Sequence, residues 1–255
     1  MPGGPSLYTS RMALALGARV TLVSRLVPSF DRSALAGIEV LGQPGVAGPR
    51  YANRYTPSGD RTQLLLAPGE PLDLSAAAAM PADAFILAPA FHECDALPPV
   101  VAPVVGVSLQ GPLRTVDEAG RVSPHPDPLA QASPFVREGV YAFFSEEDTR
   151  EPERLARAIA GRGATAIVTR GYRGAVLFRG DAETHLTAIP ANAVDPTGAG
   201  DCFSTAFVVR MVETGDLDEA CRFALAAGAL AVEGLGIEGI PARSQVEARL
   251  AKVAA

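Results

Sequence analysis

The sequence lacks tryptophan altogether and contains only three cysteines and three histidines. Cys94, Cys202 and Cys221 form neither an even set nor a CxxC pair. This distribution is typical of a reduced intracellular protein and argues against a disulfide framework. The longest apolar run, Phe223–Val232, is far shorter than the ~18 residues that cross a bilayer. Because the first residues also lack the apolar core of a signal peptide, we expect a cytoplasmic protein without a membrane partner.

Charge of one sign is not concentrated anywhere in the chain. Its 22 basic and 28 acidic residues give a formal net charge of −6, and there is no long basic run. This balance argues against nucleic acid or an anionic membrane as the main partner. A small anionic ligand stays compatible, because backbone amides and a few local cations can hold it. The 255 residues are 48% hydrophobic, which predicts a packed core in one α/β domain, alone or with a small appendage.

Short apolar runs alternate with helical patterns along the chain. Near-continuous hydrophobicity suits strands that are covered on both faces, so the alternation predicts a doubly wound α/β fold with a mainly parallel sheet. The predicted strands are Arg19–Leu26, Ala84–Pro89, Pro103–Leu109, Val140–Ser145, Thr165–Arg170 and Gly174–Arg179. The predicted helices are about Pro5–Leu16, Pro152–Gly161, Ala199–Glu213, Leu217–Glu233 and Ser244–Val253.

One segment, Pro49–Glu70, departs from this alternation. Polar and apolar residues alternate on both sides of the turn-forming cluster "TPSGD", which predicts a β-hairpin standing off the main sheet. Two interpretations stay open at this point. The hairpin is either a lid over a site or an ordinary solvent-exposed hairpin.

The stretch "DPTGAGDCFSTAFVVRM", Asp195–Met211, carries the strongest chemical signal. Gly198, Ala199 and Gly200 have little or no side chain, so an anion can approach free amides at the start of a helix. The helix dipole adds roughly 0.3–2 kcal/mol there. Asp201 is then placed to take a proton from an attacking hydroxyl. The alternative is a tight turn in which Asp201 merely caps the helix.

The rest of the chain adds to this local signal. "DPTGAGDCFSTAF" resembles the C-terminal signature of the ribokinase family of carbohydrate kinases, also called the PfkB family. Gly3–Leu26 resembles its double-glycine motif, helix and strand, Val168–Phe178 its "TxGxxG" strand pair, and Ala226–Pro241 its closing helix and loop. The resemblance implies a ribokinase-like three-layer α/β sandwich, with residues 1–255 as one kinase domain and a lid at about 49–70.

The resemblance also assigns roles on the nucleotide side. It implies that Asp201 is the catalytic base and that the Gly198, Ala199 and Gly200 amides form the anion hole for phosphoryl transfer from ATP. Ala227, Gly228 and Gly236 match positions near the adenine and, in some members, a loop for a monovalent cation such as K⁺, with helix packing and turn formation as the alternative. The implied nucleotide-binding residues are Asp195, Thr197, Thr169, Gly171, Gly174, Ala227, Gly228 and Gly236.

On the acceptor side the resemblance implies that a sugar or polyol approaches the paired glycines Gly3 and Gly4. Tyr8 stands where many members have Asn, and its ring could stack on the substrate. Asn53 and Arg61 are the candidates from the lid, with an ordinary surface role as the alternative. Many members begin with a further strand whose Asp binds substrate hydroxyls, and the sequence starts almost at the glycines.

For Mg²⁺ the family's "NxxE" motif appears here as "SEED", Ser145–Asp148. Asp148 occupies the Glu position and Glu147 is adjacent, and a shorter carboxylate can still order a hydrated Mg²⁺.

The strings "ANRYTPSGDRTQ" and "VSLQGPLR" are similar to the corresponding segments of the branch that contains myo-inositol kinases. The sequence leaves three functions open: a sugar or polyol kinase, a nucleoside kinase, and a non-catalytic nucleotide or sugar sensor. Lid-to-lid homodimers occur in the family, so a homodimer is compatible.

Overall fold

The computed structural model describes residues 3–55 and 61–254. Strands and helices alternate along the chain as the apolar runs predict. The strands are β1 Thr21–Leu26, β2 Glu39–Pro44, β3 Arg50–Tyr55, β4 Arg61–Ala67, β5 Ala84–Leu87, β6 Val104–Ser108, β7 Arg114–Val116, β8 Val122–Pro124, β9 Val140–Ser145, β10 Thr165–Thr169, β11 Ala175–Arg179 and β12 Ala182–Leu186. The helices are α1 Pro5–Ala15, α2 Ser75–Ala79, α3 Pro128–Ala132, α4 Pro152–Ala160, α5 Ala199–Thr214, α6 Leu217–Ala231 and α7 Arg243–Ala254.

A six-stranded sheet in the order β12-β11-β10-β9-β6-β5 forms the centre of the fold. The strands β5, β6, β9 and β10 are parallel, and β11 and β12 are antiparallel. The carboxyl ends of the parallel strands meet at one edge, which is where open α/β sheets bind ligands. Ser108, Ser145 and Thr169 lie at that edge. The predicted fold class, a doubly wound and mainly parallel sheet, is confirmed.

Helices cover both faces of this sheet. On one face Phe203, Phe207 and Val208 of α5 pack on Phe143 and neighbouring strand residues, and α6 contributes to the same cluster. On the other face Leu155 and Ile159 of α4 belong to the core cluster beneath β9, β10 and β11. Helix α1 packs against α5, which brings the N-terminal glycines toward the start of α5. No described helix has the length and apolar character of a membrane span.

The position of β1 corrects the sequence prediction. The run Arg19–Leu26 was expected to join the main sheet, but β1 pairs in parallel with β2 alone in a separate two-stranded sheet. Strand β2 was missed because its Glu39, Gly42 and Gln43 break the apolar pattern. Strand β12 was missed for a similar reason, since it is an exposed, polar strand at the sheet edge.

The predicted hairpin is present as β3 and β4, with Tyr51 opposite Leu65 and Asn53 opposite Gln63. The side-chain amide of Gln63 donates a 2.9 Å hydrogen bond to Asn53 Oδ1. The Tyr51 hydroxyl donates to the main-chain oxygen of Ala90 at 2.7 Å, which ties the hairpin to the loop after β5. The turn "TPSGD" lies outside the described residues.

Candidate active site

A large cavity, about 2140 Å³ in volume, opens at the carboxyl edge of the parallel strands. It extends from the start of α5 to the hairpin and to the space between β1 and β5. The structure therefore brings most of the sequence-predicted site residues around one space. Those that line it are Gly3, Gly4, Tyr8, Asn53, Asp148, Thr169, Asp195, Thr197, Gly198, Gly200, Asp201 and Gly236.

The glycine turn at the start of α5 depends on a left-handed backbone. Gly198 is the N-cap of α5 with φ 79° and ψ 0°, a conformation that favours glycine. Its carbonyl accepts the first helical hydrogen bond, from the Cys202 amide at 2.9 Å. Within the described residues, the amides of Gly200 and Asp201 have no main-chain acceptor, as expected in the first turn of a helix. The turn thus presents free N–H groups to the cavity, next to the positive end of the helix dipole.

Asp201, in the first turn of α5, has an unusual protonation equilibrium. Its pKa is raised from 3.8 to about 7, chiefly by burial, with the Arg114 guanidinium opposing the increase and the Asp148 carboxylate adding to it. No described residue donates a hydrogen bond to the Asp201 carboxylate, while the Asp201 main-chain oxygen accepts from the Thr205 hydroxyl at 2.7 Å. A carboxylate that titrates near neutral pH is suited to accept and release a proton.

Asp195 holds the loop before α5 in place. One carboxylate oxygen accepts from the Thr197 amide at 2.9 Å and the other from the Gly236 amide at 3.0 Å. Burial raises the pKa of Asp195, but the hydrogen bonds from Thr197 and Gly236 outweigh it and keep the pKa below its usual value. Asp195 therefore links the glycine turn to the loop after α6.

The two candidate metal-site acids have different surroundings. Asp148 is 9% exposed and one of its oxygens accepts from the Ser145 amide at 2.8 Å, as part of a capping box after β9. Glu147 is exposed and does not line the cavity. Within residues 3–55 and 61–254, no three His, Cys, Asp or Glu residues are grouped to bind a metal directly. Of the two acids, Asp148 is the one that lines the cavity.

Some of the residues predicted to bind the nucleotide line the cavity and others do not. Thr169 and Gly236 line the cavity, whereas Gly171 and Ala199 do not. A Cβ on Gly174 would lie 2.0 Å from the Leu186 oxygen, so tight strand packing accounts for that glycine. Ala227 is fully buried in the core, whereas Gly228 is partly exposed and lies beside Phe203 and the Ala199 oxygen of α5.

On the acceptor side Gly4 is the N-cap of α1 with φ 96°, and Asn53 is exposed on the hairpin. The side chain of Arg61 lies outside what the structure describes. Tyr8 was expected to stack on a substrate, but it is only 3% exposed. Its ring packs against Gly198, so little of either face is open to a ligand.

Arg114 is the main site residue that the sequence did not assign. It is 8% exposed and begins β7, its Nη1 donates to the Ala90 oxygen at 3.1 Å, and its guanidinium lies 5.3 Å from the Tyr51 ring centre. The only sequence signal is its place in "VSLQGPLR" after a strand end, which is equally typical of a structural loop. Its contacts with the hairpin and its effect on Asp201 depend on the tertiary fold.

This geometry places the protein in a structural class: a ribokinase-like α/β fold with a glycine turn and an acidic residue at the carboxyl edge of its sheet. The model of the "pfkB family carbohydrate kinase" matches residues 136–242. This part of the chain is therefore similar to the pfkB family of carbohydrate kinases, in agreement with the resemblance.

Curated relatives match part of this chain. A ribokinase of Bacillus subtilis is 34% identical over 149 residues, which are 53% of this chain and 51% of that protein. A fructosamine kinase of Bacillus subtilis is 37% identical over 99 residues, 38% of this chain and 34% of that protein. The chain thus spans about half or less of the length of these relatives.

Solved structures match nearly the whole chain at lower identity. A ribokinase from Thermotoga maritima has a TM-score of 0.71 at 20% identity, over 98% of this chain and 88% of its own. A pyrophosphate-dependent kinase of the ribokinase family, complexed with a pyrophosphate analog and myo-inositol, has a TM-score of 0.70 at 18% identity, over 96% and 91%. At these identities the likeness establishes the fold.

Proposed function

We propose that the protein transfers the γ-phosphoryl group of MgATP to an alcohol group of a sugar or polyol. One observation carries the proposal. The free amides of Gly200 and Asp201 and the titratable carboxylate of Asp201 belong to residues that line the same cavity at the carboxyl edge of the sheet, whereas the Ala199 amide donates to the Pro196 oxygen at 3.3 Å. A site that only bound anions would not need the acid beside the amides. The sensor alternative is for that reason less favoured.

In the proposed reaction the substrate hydroxyl lies between the double-glycine segment and Asp201. The Asp201 carboxylate accepts the hydroxyl proton as the oxygen attacks the γ-phosphorus, and ADP leaves on the opposite side. Amides of the glycine turn and the dipole of α5 stabilise the charge on the transferring group. Asp195 keeps this turn fixed through Thr197 and Gly236, so little reorganisation is needed during transfer.

Mg²⁺, when bound, would neutralise charge on the phosphate oxygens. Asp148 is the residue that fits this ion, since it is close enough to Asp201 to affect its pKa. The hairpin β3–β4 supplies a cover on the acceptor side, and Tyr51 and Arg114 join it to the Ala90 oxygen. A cover of this kind excludes water, which would otherwise compete as acceptor.

A panel of donors and acceptors tests the proposal. The phosphorylated acceptor should be measured for ribose, fructosamine, myo-inositol and a nucleoside, together with ADP release when ATP is the donor and phosphate release when pyrophosphate is the donor. We expect ATP-dependent turnover with a sugar or polyol. Tight ATP binding without turnover on any acceptor would instead identify a binding protein. Turnover with pyrophosphate alone would contradict the assigned donor, and turnover on the nucleoside alone would contradict the acceptor class.

The pKa of Asp201 gives a pH prediction for this reaction. A general base must be ionised, and burial raises its pKa to about 7 with Asp148 adding to the shift and Arg114 opposing it. We expect kcat/KM to fall about tenfold per pH unit below that pKa, because the protonated acid cannot accept a proton. A profile that stays flat down to about pH 5, near the ordinary range of carboxyl groups, would contradict Asp201 as the base.

A further inference from the structure

Tyr8 lies between the two glycine segments of the site. A Cβ built on Gly198 would be 2.2 Å from Tyr8 Cδ1 and 2.4 Å from Cε1, so the ring rests directly on the Gly198 backbone. A Cβ built on Gly3 would be 4.0 Å from Cε2, on the other edge of the same ring. One aromatic ring therefore lies against Gly198 and close to Gly3.

The Tyr8 ring is buried in a core cluster that fixes its position. Tyr8 is 3% exposed and belongs to a core cluster with Met12, Cys202 and Ala206, which joins α1 to α5 and α6. A planar ring has few rotamers and resists compression. The loop before Gly198 is held by Asp195, which accepts a hydrogen bond from the Thr197 amide. Gly198 thus contacts a rigid ring and directly follows a hydrogen-bonded loop.

We propose that Tyr8 is a positioning residue whose ring sets the distance between the Gly3–Gly4 segment and the amides of the Gly198–Gly200 turn. The inference rests on the proposed function, in which the acceptor approaches the first segment and the phosphoryl group the second. A fixed separation between the two segments aligns the attacking oxygen with phosphorus. Small errors in such alignment lower rates strongly, by about 10²-fold for ~1 Å.

The hydroxyl of Tyr8 has no part in this role. Burial raises its pKa to about 12, with further contributions from the charges of Asp195, Cys202 and Asp201. The side chain is therefore neutral over the range in which proteins function, and it neither supplies charge to the site nor exchanges a proton there. The flat aromatic ring alone positions the turn, so phenylalanine at position 8 should preserve the function of tyrosine.

Three variants separate positioning from general stability. Tyr8→Phe keeps the ring, and Tyr8→Leu removes it but keeps an apolar side chain. Met12→Ala is the matched control, because Met12 is fully buried in the same cluster and does not line the cavity. We expect kcat to fall by about 10²-fold in Tyr8→Leu, with much smaller changes in KM, and to stay near wild type in Tyr8→Phe and Met12→Ala. Thermal denaturation should show Met12→Ala to be at least as destabilised as Tyr8→Leu.

A second measurement does not depend on kinase activity. Amide hydrogen exchange over Asp195–Cys202 should be faster in Tyr8→Leu than in wild type, because the turn loses its support. Tyr8→Phe and Met12→Ala should leave exchange in this segment unchanged. If Tyr8→Leu does not fold, Tyr8→Met serves the same purpose, since it fills the space without a flat ring.

The outcomes distinguish the two levels of the proposal. A wild-type protein without turnover on any acceptor rejects the proposed function, while local exchange still decides whether Tyr8 positions the turn. Wild-type kcat together with unchanged exchange in Tyr8→Leu overturns the inference and leaves the kinase proposal intact. An equal loss of kcat in Met12→Ala also overturns it, because loss of stability would then account for the effect.

Discussion

Replacement of Asp201 by Asn is expected to lower kcat by about 10²–10⁴-fold, the range that a general base contributes, and so to bring turnover close to background. ATP should still bind, since the amides of the Gly198–Gly200 turn are unchanged. Asp181→Asn is the matched control, because Asp181 is exposed between β11 and β12 and outside the cavity. Steady-state kinetics and ATP titration measure the two effects. Phosphorylation by the Asp201 variant at the wild-type rate would contradict its assignment as base.

The same substitution is expected to stabilise the fold near pH 8. The folded-state pKa of about 7 lies above the ordinary 3.8, so the native state binds the proton more tightly than the unfolded chain. The stability that depends on the protonated acid is therefore present at low pH and is lost as pH rises through 7. Asn cannot ionise, so the variant avoids the cost of burying a charged carboxylate. At 1.36 kcal/mol per pKa unit, its free energy of unfolding should be higher by up to about 4 kcal/mol. Thermal denaturation should show a higher Tm for Asp201→Asn at pH 8 and a smaller difference near pH 4.

Replacement of Gly198 by Ala is the second change with a large expected effect. The new Cβ would meet the Tyr8 ring at 2.2 Å, and the residue has φ 79°. The backbone must shift to relieve the clash, so the amides of the turn lose their alignment. We expect a loss of kcat of about 10²-fold and a destabilisation of about 1–3 kcal/mol.

Gly215→Ala is the control for backbone strain in this experiment. Gly215 ends the same helix α5 with φ 65°, and a Cβ there would meet nothing within 4 Å. This variant should lose stability but keep wild-type kcat. If Gly215→Ala and Gly198→Ala reduce kcat equally, strain in the helix rather than displacement of the turn explains the loss.

The parts of the fold and site that depend on short stretches of sequence could be predicted. The parallel strands β5, β6, β9 and β10 are continuous apolar runs, so their existence and burial are apparent from the sequence. The glycine turn and Asp201 lie within a few residues of one another, and a helix start places them together. Local patterns therefore determine the sheet and the chemical centre of the site.

Features that depend on distant contacts could not be predicted in this way. Tyr8 was assigned to the substrate because nothing in its neighbourhood reveals the contact with Gly198. Ala227 lies in a motif that resembles an adenine-contacting segment, but the packing of α6 on α1 and α5 buries it. The pairing of β1 with β2 alone and the approach of Arg114 to the hairpin likewise arise from the tertiary fold.

The central claim is that this site moves a phosphoryl group from ATP to an alcohol with Asp201 as base. Transfer of label from γ-labelled ATP to a sugar or polyol, followed side by side in wild type and Asp201→Asn, tests it most directly. We predict a labelled sugar or polyol phosphate with wild type and almost none with the variant, although both bind ATP. Label that stays in ATP with every acceptor, or that is transferred equally by both proteins, would contradict the account.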